Sequence, residues 1–78
     1  MIKIKFFGKL REKFGQEMVL PKRFENIEDL LNFLIQKDKS LNDIKEHLIF
    51  SINYRYATKR DKINDGDIIT IIISPTGG

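Results

Sequence analysis

The sequence contains no cysteine, one histidine and two prolines. Without cysteine there are no disulfides, no thiolate zinc sites and no persulfide carried on a side chain. A single histidine, His47, excludes a multi-histidine metal centre. It stands in the polar stretch Lys45-Glu46-His47 and reads as an ordinary surface residue. No tract of 18 apolar residues occurs, so no segment reads as a membrane-spanning helix. The opening Met1-Ile2-Lys3-Ile4-Lys5 alternates apolar and charged residues and has no small-residue cleavage site. It does not read as a signal peptide, and a cytoplasmic location is expected. A block of like charge is also missing. The net charge is +3, but lysines and arginines are interleaved with acids, unlike a nucleic-acid-binding arm. No nucleic acid and no membrane is expected as a main partner; an acidic protein surface is the better fit.

What is present describes one small domain. The chain has 78 residues, 41% hydrophobic and 32% charged. A chain of this size buries about 60% of its unfolded surface, so its core is modest. Ile2, Ile4 and Phe6 alternate with Lys3, Lys5 and Phe7, the pattern of a half-buried strand in which Phe7 falls on the wet face. Gly8 and Gly15 bracket a short helix or turn over residues 9–14, with Leu10 and Phe14 facing the core. Gln16 to Leu20 reads as a second strand stopped by Pro21. Asn26 is a good helix N-cap, followed by acids in the first turn. Ile27, Leu30, Leu31, Leu34 and Ile35 then form one apolar helix face, ending near Lys37 to Lys39. A short second helix is expected from Ser40 through His47. Leu48 to Asn53 and Tyr54 to Thr58 read as strands, and Asn64-Asp65-Gly66-Asp67 as a tight turn. In the last strand, Ile68 to Ile73, the residues Ile69, Ile71 and Ile73 are expected inward and Ile68, Thr70 and Ile72 outward.

One long amphipathic helix on one mixed sheet makes a two-layer α+β domain over residues 1–73. If the first and last strands lie side by side, Phe7 and Ile72 form an exposed apolar spot rimmed by Lys3, Lys5 and Arg11, a candidate contact site. The last strand leads into Ser74-Pro75-Thr76-Gly77-Gly78. Glycine at both final positions would arise by chance in about 1 of 200 chains. A flexible tail over residues 74–78, with the Gly78 carboxylate as its working group, is the expectation.

The segment Ile4-Lys5-Phe6-Phe7-Gly8-Lys9-Leu10-Arg11-Glu12, the turn at residues 64–67 and the ending Thr76-Gly77-Gly78 together resemble the small subunit of molybdopterin synthase. That family consists of ubiquitin-like β-grasp sulfur carriers. The resemblance covers essentially the whole chain and implies the following chemistry. An E1-like enzyme uses ATP to adenylate the terminal glycine, here Gly78, and sulfur replaces the AMP to give a thiocarboxylate. The tail then enters the large subunit of the synthase and donates sulfur to cyclic pyranopterin monophosphate, within a heterotetramer. Two sulfurs are needed for each dithiolene. Partner binding would use Phe7, Tyr56 and Ile72 on the sheet, with Arg11 as a charged neighbour. Tyr56 and Ile72 replace other bulky apolar residues usual in the family.

The tail suits this chemistry. Glycine lacks a Cβ, so Gly77 and Gly78 can pass a narrow channel and leave the attacked carbonyl open. Pro75 restricts one dihedral angle and lowers the entropy lost when Thr76 and its neighbours are ordered in a partner. The domain offers no catalytic acid, base or metal ligand set. It is expected to bind no cofactor and to be inactive alone, with ATP used by the activating partner. Three rival readings remain: the sulfur carrier of thiazole synthesis, a ubiquitin-like protein modifier, and a plain binding domain with an inert tail. The first is generally shorter and lacks the segment running from Phe6 to Glu12.

Overall fold

The computed structural model describes Met1–Ser74. Its elements run β1 (Ile2–Phe6), α1 (Lys9–Phe14), β2 (Glu17–Leu20) and α2 (Ile27–Lys37). Two 3-10 turns (Lys39–Asp43 and Lys45–His47), β3 (Leu48–Ile52), β4 (Arg55–Ala57) and β5 (Ile68–Ile73) follow. The strands form one sheet in the order β2-β1-β5-β3-β4. β1 and β5 pair in parallel, and the other three pairings are antiparallel. A parallel pair needs a long crossover, which α2 and the segments after it supply. β5, the most apolar strand, therefore sits in the middle with β1 beside it. This is the mixed sheet with one long helix expected of a β-grasp domain.

Alternation decides what is buried. Ile2, Ile4 and Phe6 of β1, Ile69 and Ile71 of β5 and Phe50 of β3 point to one face. They form a single core with Ile27, Leu30, Leu31 and Leu34 of α2. Each fully buried aliphatic side chain contributes about 1.5–3 kcal/mol. Ile35 and Ile73 sit at the margin of this core, half-buried. Leu10 is buried from α1, and Phe14 stacks on Phe6 with ring centroids 4.9 Å apart. Leu20 of β2 and Ala57 of β4 belong to the core as well, and Phe24, Leu41 and Ile63 join it from the connections.

α2 begins as its sequence requires. The Asn26 side chain accepts from the Asp29 N–H at 2.9 Å, and the Asp29 carboxylate accepts from the Glu25 N–H at 3.1 Å. The expected second helix is not one. Residues 39–47 form two 3-10 turns separated at Ile44, with Leu41, Ile44 and His47 each donating three residues back. Asp38 starts them by accepting from the Ser40 N–H and hydroxyl, at 3.0 and 2.6 Å. Those bonds, and then the attraction of Lys13, hold the Asp38 carboxyl below the usual range. Side chains that bond the local backbone compete with an α-helix, and this stretch is rich in them.

The expected strand over residues 54–58 is shorter because Tyr54 belongs to the turn. Asn53 and Tyr54 both have positive φ, 51° and 68°, giving a two-residue hairpin of the type that matches strand twist. A tyrosine in this region is strained by about 1–2 kcal/mol. Asn53 fixes the turn. Its backbone N–H donates to the Ile68 carbonyl at 2.7 Å, its Oδ1 accepts from the Ile68 N–H, and its Nδ2 donates to Asp67. Buried Asp67 also accepts from the Asn64 N–H at 2.8 Å, inside the 64–67 turn read from the sequence. Among the described residues no helix is long and apolar enough to cross a membrane, and no cluster of His, Asp and Glu could hold a metal ion.

Candidate functional site

The face of the sheet away from α2 carries the side chains that alternation excludes from the core. Registry arranges them in rows. Lys5 stands opposite Thr70, Thr70 opposite Ser51, and Ser51 opposite Tyr56. The next row towards the end of β5 is apolar, with Ile72 opposite Ile49. Phe7 joins it from the other side, because its N–H donates to the Ile71 carbonyl at 3.4 Å. Phe7 and Ile72 line one shallow cleft of about 440 Å³ with Gly8, Lys9, Ile73 and Ser74.

Phe7 faces outward for a local reason. β1 ends at Phe6, and Gly8 turns the chain into α1 at φ 62° and ψ −137°, a backbone conformation open mainly to glycine. Phe7 is thus the last residue of the strand alternation and is 44% exposed. Of the four residues expected to bind partners, the fold joins Phe7 and Ile72 directly. Tyr56, 78% exposed, lies one row away on edge strand β4, outside that cleft, and lines a second cleft with Ile49. Arg11 is exposed on α1, outside the clefts of Phe7 and of Tyr56. Ile49 was not singled out from the sequence. It alternates with Phe50 of the core, and only the β3–β5 registry brings it to Ile72.

The flank of this band is polar. Lys3 pairs with Glu17 at 3.9 Å. The Lys5 ammonium donates to Tyr54 Oη at 3.1 Å. That bond first, and then the electrostatic attraction of the same group, raises the lysine above its ordinary value. Between Lys5 and Ser51, the Thr70 hydroxyl is buried with no hydrogen-bond partner among the described residues.

The ladder continues one residue past β5. Ile73 stands opposite Leu48, and the Ser74 N–H donates to the His47 carbonyl at 2.7 Å. Exposed His47 thus takes part in the fold through its backbone. The point from which the tail departs lies in the same cleft as Phe7 and Ile72. The expectations for Pro75, Thr76, Gly77 and Gly78 lie outside the described residues.

Solved structures share this fold. The small archaeal modifier protein 1 of Methanosarcina acetivorans is 26% identical, with 99% of this chain and 95% of that chain covered and a TM-score of 0.78. SAMP1 of Haloferax volcanii is 20% identical over 99% and 98% of the two chains, with a TM-score of 0.75. The complex of subunits 1 and 2 of molybdopterin-converting factor from Helicobacter pylori 26695 contains a chain 18% identical. It matches over 99% of this chain and 97% of that one, with a TM-score of 0.67. No curated protein matches the sequence. The ThiS family model matches residues 4–78, and the chain therefore belongs to the ThiS family.

Proposed function

We propose that this protein is the sulfur-carrier subunit of a molybdopterin synthase. Family membership and fold support the coarser statement, a ubiquitin-like sulfur carrier or modifier. The observation that carries the finer reading is the apolar row Phe7–Ile72–Ile49 beside the departure point of the tail. A docked partner would cover this row and receive the tail in one motion. The subunit 1 and 2 complex from Helicobacter pylori supports a large subunit as that partner, and the heterotetramer is part of this proposal.

In this reading the Gly78 carboxylate attacks the α-phosphate of ATP on an E1-like enzyme, and pyrophosphate leaves. The resulting mixed anhydride makes AMP a good leaving group, so sulfur can displace it. The thiocarboxylate then gives its sulfur to cyclic pyranopterin monophosphate in the large subunit. This chain supplies the reacting terminus and the docking face; the acids, bases and nucleotide site belong to its partners. Gly77, Thr76 and Pro75 thread the channel.

Incubation with ATP, an E1-like partner and a sulfur source should raise the intact mass by about 16 Da, the exchange of oxygen for sulfur. An unchanged mass refutes the carrier role. A second reading, a protein modifier, draws on the likeness to small archaeal modifier protein 1. It predicts isopeptide conjugates to lysine, visible as heavier bands after incubation with a cell extract and ATP. A stable complex with the large subunit and no such bands favours the synthase.

A further inference from the structure

At the other side of the sheet the strands diverge. β4 ends at Ala57, opposite Phe50, so Leu48 and Ile49 run on past it. The chain then turns. The Thr58 N–H donates to Asp61 Oδ2 at 2.7 Å, and the Lys59 carbonyl accepts from the Glu28 N–H at the start of α2. The divergence opens a cleft of about 460 Å³ between β3, the end of β4 and the second 3-10 turn.

Its lining has two parts. Leu48, Ile49 and the ring of Tyr56 give it apolar walls, and Lys45, Lys59 and Arg60 give it a cationic rim. Glu46 is the one acid that lines it. None of the three cations belongs to an ion pair among the described residues. The carboxylate of Asp61, next in sequence, is already held by the Thr58 N–H and hydroxyl. The cleft thus concentrates unpaired positive charge around an apolar floor, on a chain whose net charge is only +3.

We propose that this cleft seats an acidic segment of a partner protein. One aliphatic side chain of that segment packs on Leu48 and Ile49, and its carboxylates meet Lys45, Lys59 and Arg60. A protein segment fits better than a nucleic acid. A single ring, Tyr56, lines the cleft, whereas single strands are held by several rings on which successive bases stack. Ile49 and Tyr56 also belong to the outer face of the sheet, so the occupant would lie next to whatever covers Phe7 and Ile72. The inference concerns binding alone and does not rest on the sulfur chemistry.

The test is fluorescence anisotropy at low salt with the purified chain and a dye-labelled, end-blocked peptide of Asp and Glu around one central Leu. Saturable binding is expected. Replacing Lys59 and Arg60 by Glu should weaken it about tenfold, the loss of two exposed charge pairs. Replacing Lys39 and Lys62 by Glu changes net charge equally outside the cleft and should weaken it less than about threefold. Lys45→Glu, on a different segment, should weaken binding about threefold and carries the test should the first pair fail to fold. A peptide with Ser in place of Leu should bind more weakly. No binding, equal loss from both charge-reversed pairs, indifference to the leucine, or tighter binding of an oligothymidylate of equal charge would each overturn the proposal.

Discussion

Two adjacent phenylalanines should respond to mutation in opposite ways. Phe7 is 44% exposed, and an aromatic side chain buries about 200 Å² when fully covered. About 90 Å² of Phe7 therefore remains for a partner to cover, which at 25 cal/mol per Å² is about 2 kcal/mol. Phe7→Ala should raise the Kd for the large subunit about 30-fold. The domain itself should lose only about 1–2 kcal/mol, because the part of the ring already covered lies at the surface. Phe6, 1% exposed and stacked on Phe14, is the control. Its replacement by Ala should cost about 3–5 kcal/mol, a large share of the stability of a small domain. Urea unfolding measures the stability losses and a binding titration the change in Kd. If Phe7→Ala unfolds the domain as readily as Phe6→Ala, the face assignment is reversed. If it leaves the large-subunit affinity unchanged in a folded protein, the outer face is not the docking surface.

The hairpin and the centre of the outer face give two further tests. Asn53→Ala removes two side-chain hydrogen bonds and leaves buried Asp67 with one donor fewer, so thermal unfolding should show a loss of about 2–3 kcal/mol. A loss below about 0.5 kcal/mol would mean that the strained turn does not depend on Asn53. Thr70→Val replaces a buried hydroxyl that has no partner among the described residues by a methyl group, and should leave stability unchanged or raise it by about 1 kcal/mol in urea unfolding. A clear destabilisation would show that the hydroxyl is satisfied in solution.

Periodicity made most of the fold legible. The strand alternation at residues 2–7 and 68–73, the helical face from Ile27 to Leu34 and the Asn26 cap all depend on neighbours in sequence, so local pattern was sufficient. The helix expected from Ser40 through His47 is replaced by 3-10 turns because the Asp38 carboxylate takes the Ser40 N–H and hydroxyl, which a hydrophobic period does not register. Tyr54 was misread as strand because its positive φ is imposed by the bonds of Asn53 to Asp67 and Ile68, residues distant in sequence. Phe24 and Ile63 lie in connections without a period, and only packing reveals them as core.

The sequence by itself determined the strands, the helices α1 and α2, the apolar face of each, and, through the opening segment and the Gly77-Gly78 ending, the family resemblance. The outward position of Phe7 was also readable, because parity within a strand is a local property. Tertiary structure decided which outward residues meet. Ile49 and Ile72 come from β3 and β5, and Phe7 follows β1, all three far apart in sequence. They form one row because β5 pairs with β1 on one side and β3 on the other in a fixed registry. The charged cleft beside Tyr56 likewise exists only because β4 stops one pair short of Ile49, and strand pairing, unlike alternation, is not written in any one segment.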